Sequence, residues 1–283
     1  MKLINDGIKN SLKVEGHFSM NINRLSLLNS LFSVINENNP DDSNYVLAHY
    51  FLNHYQKLSE LNIYDVAGEC YVSRSSVRRF CKSIGYENFL AMKTGFNEYD
   101  DQYSYYMLHA DRENYREALT REINEMIKEL DYRMNIGETQ VIAAKIHDSR
   151  YVVFLTSDTS TAIIREFQQS MIFHGKIIRL ISDDYTGKTL INTLDKRDML
   201  ITISSTGIFA KASSDYISKC SALKILITAN REKIFSEWYD KIYHLSAKDR
   251  SNEGRGVYGT YALNYMFDVI YSAYVRQYGK IKK

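Results

Sequence analysis

The sequence predicts a fold of two parts: an all-α N-terminal domain, followed by a three-layer αβα domain with a five-stranded parallel sheet. Apolar residues recur near the helical period through residues 22–100. From Tyr151 onward, short apolar runs alternate with amphipathic segments of helix length, as they do in parallel sheets. At 283 residues the chain also exceeds the usual size of one domain, so two cores are expected.

The composition is that of an ordinary globular protein, with 45% hydrophobic and 25% charged residues, and it excludes disordered and fibrous classes. Because 36 basic residues face 34 acidic ones, the net charge is only +2, and any basic surface must be local. The three cysteines are far apart, without a nearby ligand pattern, so we expect buried reduced thiols, no metal site and no cofactor. Neither a signal peptide nor a run of about 20 apolar residues is visible, which predicts a cytoplasmic protein without membrane contact.

The first two predicted helices contain residues 25–35 and 46–52, and a polar break at residues 38–42 separates them. Side-chain oxygens after the break can accept hydrogen bonds from the first N–H groups of the second helix. The candidates for this N-cap are Asp41, Asp42 and Ser43.

Residues 100–150 are charged and helical, with an apolar stripe from Ile123 to Met134 that is typical of a connecting helix. We therefore expect an all-α domain over residues 1–100, a helical linker over 101–140 and the αβα domain over 141–283.

The apolar runs of the C-terminal part predict five parallel strands joined by right-handed helical crossovers and closed by a helix from about Val257 to Tyr274. In such folds ligands bind at the carboxyl ends of the strands. The predicted strands are residues 151–155, 177–181, 199–203, 224–228 and 241–245.

The segment from Ile63 to Tyr86 has the pattern of two helices joined by a tight turn, with Ser73 as the N-cap of the second helix. At 100° per residue, one arc of about 100° is apolar and faces a core. An opposite arc of about 140° is polar, carries four cations and contains no acidic residue. The apolar arc comprises Val77, Phe80, Cys81 and Ile84, and the polar arc Arg74, Ser75, Arg78, Arg79 and Lys82.

A cationic helix face of this kind suits the major groove of DNA, where arginine pairs with guanine and lysine neutralises phosphate. The alternative is a solvated amphipathic helix, which is the commoner outcome for an arbitrary charge run. The helix-turn-helix pattern around it favours DNA.

The segment from Val72 to Tyr86, followed by Asn88-Phe89 and Met92-Lys93, resembles the N-terminal domain of RpiR-type regulators. The resemblance extends over residues 22–100 in helix order. It implies that the recognition helix and its first turn contact DNA through Ser73, Arg74, Ser75, Ser76, Arg78, Arg79 and Lys82.

Two hydroxyl-rich loops follow predicted neighbouring strands, Thr156-Ser-Asp-Thr-Ser160 and Ser204-Ser-Thr-Gly207. Hydroxyl and N–H groups where a strand leads into a helix can form an anion site. Taken alone, the second loop also reads as a serine-capped turn with glycine at a tight bend.

These loops resemble those of the sugar isomerase (SIS) domain that RpiR-type regulators carry after their helix-turn-helix. The SIS patterns have glycines where Thr156 and Asp158 stand, and threonine where Phe209 stands. If Asp158 points away from the pocket, the hydroxyls can still hold a phosphate; if it points inward, an amino sugar or an uncharged ligand is favoured. The resemblance implies a phosphosugar pocket with Ser160, Ser204, Ser205, Thr206 and Gly207.

An isomerase of this fold needs a positioned base, and Glu253 and His244 are the candidates. Glu253 lies in a polar, glycine-containing stretch that reads better as a loop, so no catalytic residue is predicted and the chain is expected not to be an enzyme.

Together these features predict a transcription regulator that binds double-stranded DNA as a homodimer or higher homo-oligomer and is controlled by a small sugar-phosphate-like effector. A sugar-phosphate isomerase, or a regulator whose SIS-like domain only dimerises, remains the alternative.

Overall fold

The computed structural model describes residues 27–96, 110, 112–156, 160–182, 189–253 and 256–279. Its N-terminal part is helical, as predicted. A 3₁₀ helix, Tyr55–Glu60, lies between the second and third α-helices. The α-helices are α1 (Leu27–Glu37), α2 (Ser43–Asn53), α3 (Ile63–Glu69), α4 (Arg74–Ser83) and α5 (Phe89–Phe96).

Aromatic packing holds this part together. The ring centroid of Phe51 on α2 lies 5.7 Å from that of Phe80 on α4 and 6.1 Å from that of Phe89 on α5. Val66 and Val77 are fully buried beside them, so α3 and α4 share the same apolar core. The apolar arc of α4 therefore faces this core, and its polar arc faces outward.

Side-chain caps fix where the helices begin. Asp42, one of the three candidates, is the N-cap of α2 and accepts from the Asn44 N–H at 2.7 Å. The predicted cap of α4 is confirmed, since Ser73 Oγ accepts from the Ser76 N–H at 3.1 Å. The sequence analysis did not identify Asn62, which caps α3 by accepting from the Tyr64 N–H at 2.9 Å.

The turn between α3 and α4 is a Schellman motif, the two-bond helix ending that usually has glycine at its left-handed position. The Val72 N–H donates to the Ala67 carbonyl at 3.0 Å and the Tyr71 N–H donates to the Gly68 carbonyl at 3.2 Å. Tyr71 occupies the left-handed position with a φ of 53°. Because its Cβ is crowded there, this conformation costs about 1–2 kcal/mol.

The C-terminal part is the predicted three-layer αβα arrangement. Its five strands are all parallel, in the order β2-β1-β3-β4-β5. The helices are α6 (Tyr115–Arg133), α7 (Ile136–Asp148), α8 (Thr161–Ile172), α9 (Ile208–Ala212), α10 (Ser214–Ile217) and α11 (Val257–Tyr278). The strands are β1 (Val152–Thr156), β2 (Ile178–Ile181), β3 (Met199–Ile203), β4 (Leu223–Thr228) and β5 (Lys241–His244).

Alternate residues of the strands enter two separate apolar cores. Phe154 and Ile201 point to the layer of α6, α7, α8 and α11, where Phe167 and Phe267 are buried. Val153 and Leu200 point to the opposite layer, which contains α9 and α10. Burial on both faces explains why the central strands read as continuous apolar runs.

The apolar stripe of α6 packs into the C-terminal core. Met126, Leu130 and Met134 are buried there, while Ile123 and Ile127 pack against its edge. The segment expected to connect two domains therefore contains a helix that belongs, by its packing, to the αβα layer. The limits at residues 100 and 140 stay a prediction.

Among the residues that the structure describes, no helix is both long enough and apolar enough to span a bilayer. All three cysteines lie in this described part as buried free thiols, in agreement with the sequence.

We expect Ser73→Ala to lower the free energy of unfolding by about 1 kcal/mol, because the first turn of α4 loses the acceptor for its Ser76 N–H. Urea unfolding followed by circular dichroism measures the change. Ser75→Ala removes an exposed hydroxyl from the same helix and should change the stability by less than about 0.5 kcal/mol. Equal effects of the two substitutions would contradict the capping role.

Candidate functional sites

Helix α4 has two clearly separated faces. Val77, Phe80, Cys81 and Ile84 are buried, whereas Arg74, Arg78, Arg79 and Lys82 are exposed on the opposite side. None of the ion pairs formed among the described residues includes a side chain of α4. The structure thus brings the four predicted cations together on one open surface, which we call the cationic face.

Two contacts restrict individual arginines on this face. The Arg74 guanidinium lies 4.7 Å from the ring centroid of Tyr64 on α3, a cation–π geometry. Arg79 Nη2 donates to Ser76 Oγ at 3.3 Å. At 100° per residue, Arg78 and Lys82 lie between Arg74 and Arg79 around the helix, in the middle of the face.

The predicted serines divide by role. Ser73 Oγ and Ser76 Oγ lie 3.0 Å apart at the start of α4, and Ser73 also caps the helix. Ser75 is exposed beside Arg74 and Arg78. Ser73 is used in the cap, and the Ser76 hydroxyl contacts Ser73 Oγ and accepts from Arg79, so Ser75 is the serine most available to a ligand of this face.

The cysteines of this part are structural. Burial raises the pKa of the Cys81 thiol to about 12, and its sulfur lies 3.9 Å from that of Met92. Burial, with the nearby Glu69 charge, raises the pKa of Cys70 to about 11. Both thiols therefore stay protonated and unreactive at neutral pH.

The second candidate site lies at the carboxyl ends of β1 and β3. Thr156 pairs with Ile203 in the sheet, so the loops after these adjacent strands begin side by side. Ser160 and Ser204 are buried, and Ser205 and Thr206 are half-buried. Asp158 lies outside the described residues.

Hydrogen bonds within the loop after β3 occupy part of its polar groups. Ser204 Oγ accepts from the Ala210 N–H at 3.2 Å, and Thr206 Oγ1 accepts from the Ile208 N–H at 3.3 Å. An accepting hydroxyl can still donate its own proton to a ligand. The alternative reading of a serine-capped turn therefore holds for the loop, and it does not exclude ligand binding.

Gly207 is required by the shape of this loop. Its φ is +83°, and a Cβ there would lie 2.7 Å from Phe235 Cζ and 2.8 Å from Asn230 Nδ2. Asn230 is buried and donates to the Thr206 carbonyl at 2.8 Å, which holds the loop down. Asn230 was not predicted from the sequence, although it lies just after β4 at the same sheet edge.

Phe209 packs into the apolar core on the α9 side of the sheet, where it is only 3% exposed. The residue that replaces the threonine of the SIS pattern thus serves the core.

A polar network ties α6 to the loop after β5. The Glu129 carboxylate accepts from the Ala247 N–H at 2.7 Å, from Tyr258 Oη at 2.9 Å and from Ser246 Oγ at 3.2 Å. Burial works against ionisation of Glu129, but these hydrogen bonds and the Arg250 charge outweigh it and lower the pKa. Glu129 therefore stays charged and holds the loop.

Arg250 extends this network and forms an ion pair with Glu253, one of the two candidate bases. Its Nη1 lies 2.8 Å from Glu253 Oε1 and 3.2 Å from Glu122 Oε1 on α6, and its guanidinium lies 4.0 Å from the centroid of the Tyr258 ring. Glu253 is thereby fixed in an ion pair, which does not favour a role as a free base.

His244 has a structural partner as well. Its Nδ1 lies 3.1 Å from the Asn230 carbonyl oxygen, which can only accept, so Nδ1 carries the proton of this bond. Burial and the neighbouring Arg231 charge lower the pKa of the His244 ring. The neutral ring thus helps to position the Asn230 segment.

Comparisons with known proteins agree with this architecture. Residues 26–102 match the family model of the rpiR-family helix-turn-helix domain. No curated protein sequence matches the chain significantly. Vibrio vulnificus NanR, solved in complex with ManNAc-6P, is 14% identical over 88% of this chain and 90% of that one, with a TM-score of 0.50. At that identity the similarity shows a shared fold.

Two further structures match a little more than half of the chain, with lower TM-scores. The sugar isomerase domain of an RpiR transcription factor from Sphaerobacter thermophilus is 12% identical over 55% of this chain and 88% of that one, with a TM-score of 0.42. A putative sugar-phosphate isomerase from Listeria monocytogenes is 18% identical over 57% and 91%, also at 0.42.

We expect Gly207→Ala to destabilise the protein more than Gly175→Ala does. Both glycines have a left-handed φ, so each alanine adds backbone strain of about 1–2 kcal/mol. Only at Gly207 does the new methyl group also overlap Phe235 and Asn230, whereas nothing lies within 4 Å of a Cβ at Gly175. Melting temperatures of the two variants test this, and a lower value for the Gly175 variant would contradict it.

Proposed function

Because residues 26–102 match the family model of the rpiR-family helix-turn-helix domain, we propose that the protein is a transcription regulator that binds double-stranded DNA. The observation that carries the proposal is the exposed cationic face of α4, free of acidic partners within the described chain. In such a domain the second helix enters the major groove with its N-terminal residues at the base edges. Arg74, Ser75 and Arg78 would read bases there, and Arg79 and Lys82 would contact phosphates.

The αβα part is proposed to be a SIS-like sensor for a small sugar-phosphate-like effector. Support comes from the hydroxyl-rich loops at the carboxyl ends of β1 and β3, the position at which open α/β sheets bind ligands. NanR, which shares the fold, was solved with ManNAc-6P. The proposed ligand-binding residues are Ser160, Ser204, Ser205, Thr206 and Gly207.

We propose that this sensor has no isomerase activity. Glu253 is paired with Arg250, and the His244 ring bonds the Asn230 carbonyl through Nδ1, so both groups serve the fold. We also propose a cytoplasmic location.

The proposed assembly is a homodimer or a larger homo-oligomer. Two recognition helices about one helical turn of DNA apart would read a pseudo-palindromic site, which requires two-fold symmetry in the protein. An effector would control DNA binding if it had different affinities for two arrangements of the helices.

Arg78→Ala should weaken binding to DNA upstream of the protein's own gene by about 5- to 150-fold, because one bidentate base contact contributes about 1–3 kcal/mol. A gel shift at several salt concentrations measures the loss. Lys219→Ala is the matched control, since it also removes one exposed positive charge but lies in the αβα part.

Equal DNA affinity of the Arg78 and Lys219 variants would count against α4 as the recognition helix. Isomerase turnover by a protein that binds no DNA would favour the enzyme alternative.

A sugar phosphate that binds the sensor should raise the melting temperature. At 100 times its dissociation constant the expected stabilisation is about 2.7 kcal/mol. A thermal-shift series with ManNAc-6P, glucose 6-phosphate, an unphosphorylated amino sugar and inorganic phosphate tests this and separates the two ligand classes. If no compound shifts the transition, the alternative of a domain that only dimerises is favoured.

A further inference from the structure

Tyr71 combines a strained backbone with a side chain that the protein does not use. Residues other than glycine rarely adopt a φ such as its 53°. No other non-glycine residue in the described part of the chain has a positive φ. Its side chain is 96% exposed. The two hydrogen bonds of the turn come from backbone N–H groups, so glycine would form them equally well.

Contacts within the folded chain do not explain why a tyrosine stands at this strained position. Strained residues persist at functional sites, where the position of the side chain outweighs its cost to stability. Here the strain places a large amphipathic ring in solvent, two residues before the Ser73 cap of α4. Core packing cannot be the reason, because the ring contributes no buried surface.

The surroundings of Tyr71 indicate what it would meet. Ser73 and Arg74 begin the cationic face two and three residues later, and Tyr64, which is 62% exposed, lies against the Arg74 guanidinium. In a helix-turn-helix the first helix crosses the DNA backbone and the second enters the groove. The turn that joins them therefore lies where the sugar-phosphate strand borders the groove.

From this position we infer that Tyr71 is a DNA-backbone contact, whose hydroxyl group donates a hydrogen bond to a phosphate oxygen at the edge of the major groove. Tyrosine is among the side chains that contact phosphates in this way. The inference rests on the proposed DNA-binding function and adds a neutral contact to the cationic face. Because a phenol releases no counterion, its contribution differs measurably from that of a lysine or arginine.

The test compares Tyr71→Phe and Tyr71→Gly with the wild-type chain on a fluorescent 30-bp duplex of mixed sequence. Phosphate contacts do not depend on sequence, so no operator is needed. Fluorescence anisotropy at four salt concentrations from about 50 to 200 mM gives the affinity and its salt slope. Melting temperatures are measured on the same samples.

Tyr71→Phe should weaken binding by about 3- to 10-fold at every salt concentration, as expected for one lost hydrogen bond, and leave the salt slope unchanged. Tyr71→Gly should weaken binding at least as much while raising the melting temperature, because glycine relieves the left-handed strain. Opposite signs for affinity and stability cannot come from partial unfolding.

Two controls separate this inference from the proposed function. Tyr132→Phe alters an equally exposed tyrosine on α6 and should change nothing. Lys82→Ala should weaken binding and reduce the salt slope by about one. If the wild-type chain shows no salt-dependent binding, the proposed function fails. If Lys82→Ala weakens binding but both Tyr71 variants bind like the wild type, only the inference is overturned.

Discussion

One-sided packing of α4 is the constraint on which the rest of the N-terminal part depends. Phe80 packs against Phe51 of α2, whose ring also contacts Phe89 of α5, and Val77 and Cys81 complete the buried edge. Rotating the helix to hide its cations would expose these side chains, at about 1.5–3 kcal/mol for each large apolar group. The direction of the cationic face is therefore a consequence of the core.

The turn and the cap before α4 fix the residue at which this helix begins. The Schellman turn ends α3, and the Ser73 cap begins α4 two residues after Tyr71. A shift by one residue would rotate every side chain by about 100° and break the separation of faces. Turn, cap and core thus agree on a single register, which is the kind of consistency expected of a sequence that specifies one structure.

The strands were predictable to within one residue. For the central strands this is because burial on both faces produces continuous apolar runs, whereas the edge strands β2 and β5 are only partly buried. The packing role of α6 was not predictable from the sequence. Its apolar stripe was visible, but its partners are more than a hundred residues away, as in the hydrogen bond from Ala247 to Glu129. Asn230 and Tyr71 were not predicted either, because a lone amide and a left-handed φ leave no periodic signal in the sequence. The roles of Glu129 and Asn230 are set by tertiary contacts, whereas Tyr71 lies in a local turn that lacks the glycine by which such a turn is usually recognised.

Two cations near the proposed ligand site are already paired with carboxylates. Lys211 is paired with Glu232 at 2.6 Å, and Arg250 is paired with Glu253 and Glu122. An anionic effector near these cations would have to compete with carboxylates already in place, so affinity would depend on the donors of the loop as much as on charge. The same competition has a structural consequence. Because Arg250 and Glu129 both link the loop after β5 to α6, a ligand that moves this loop must either carry α6 with it or break their hydrogen bonds.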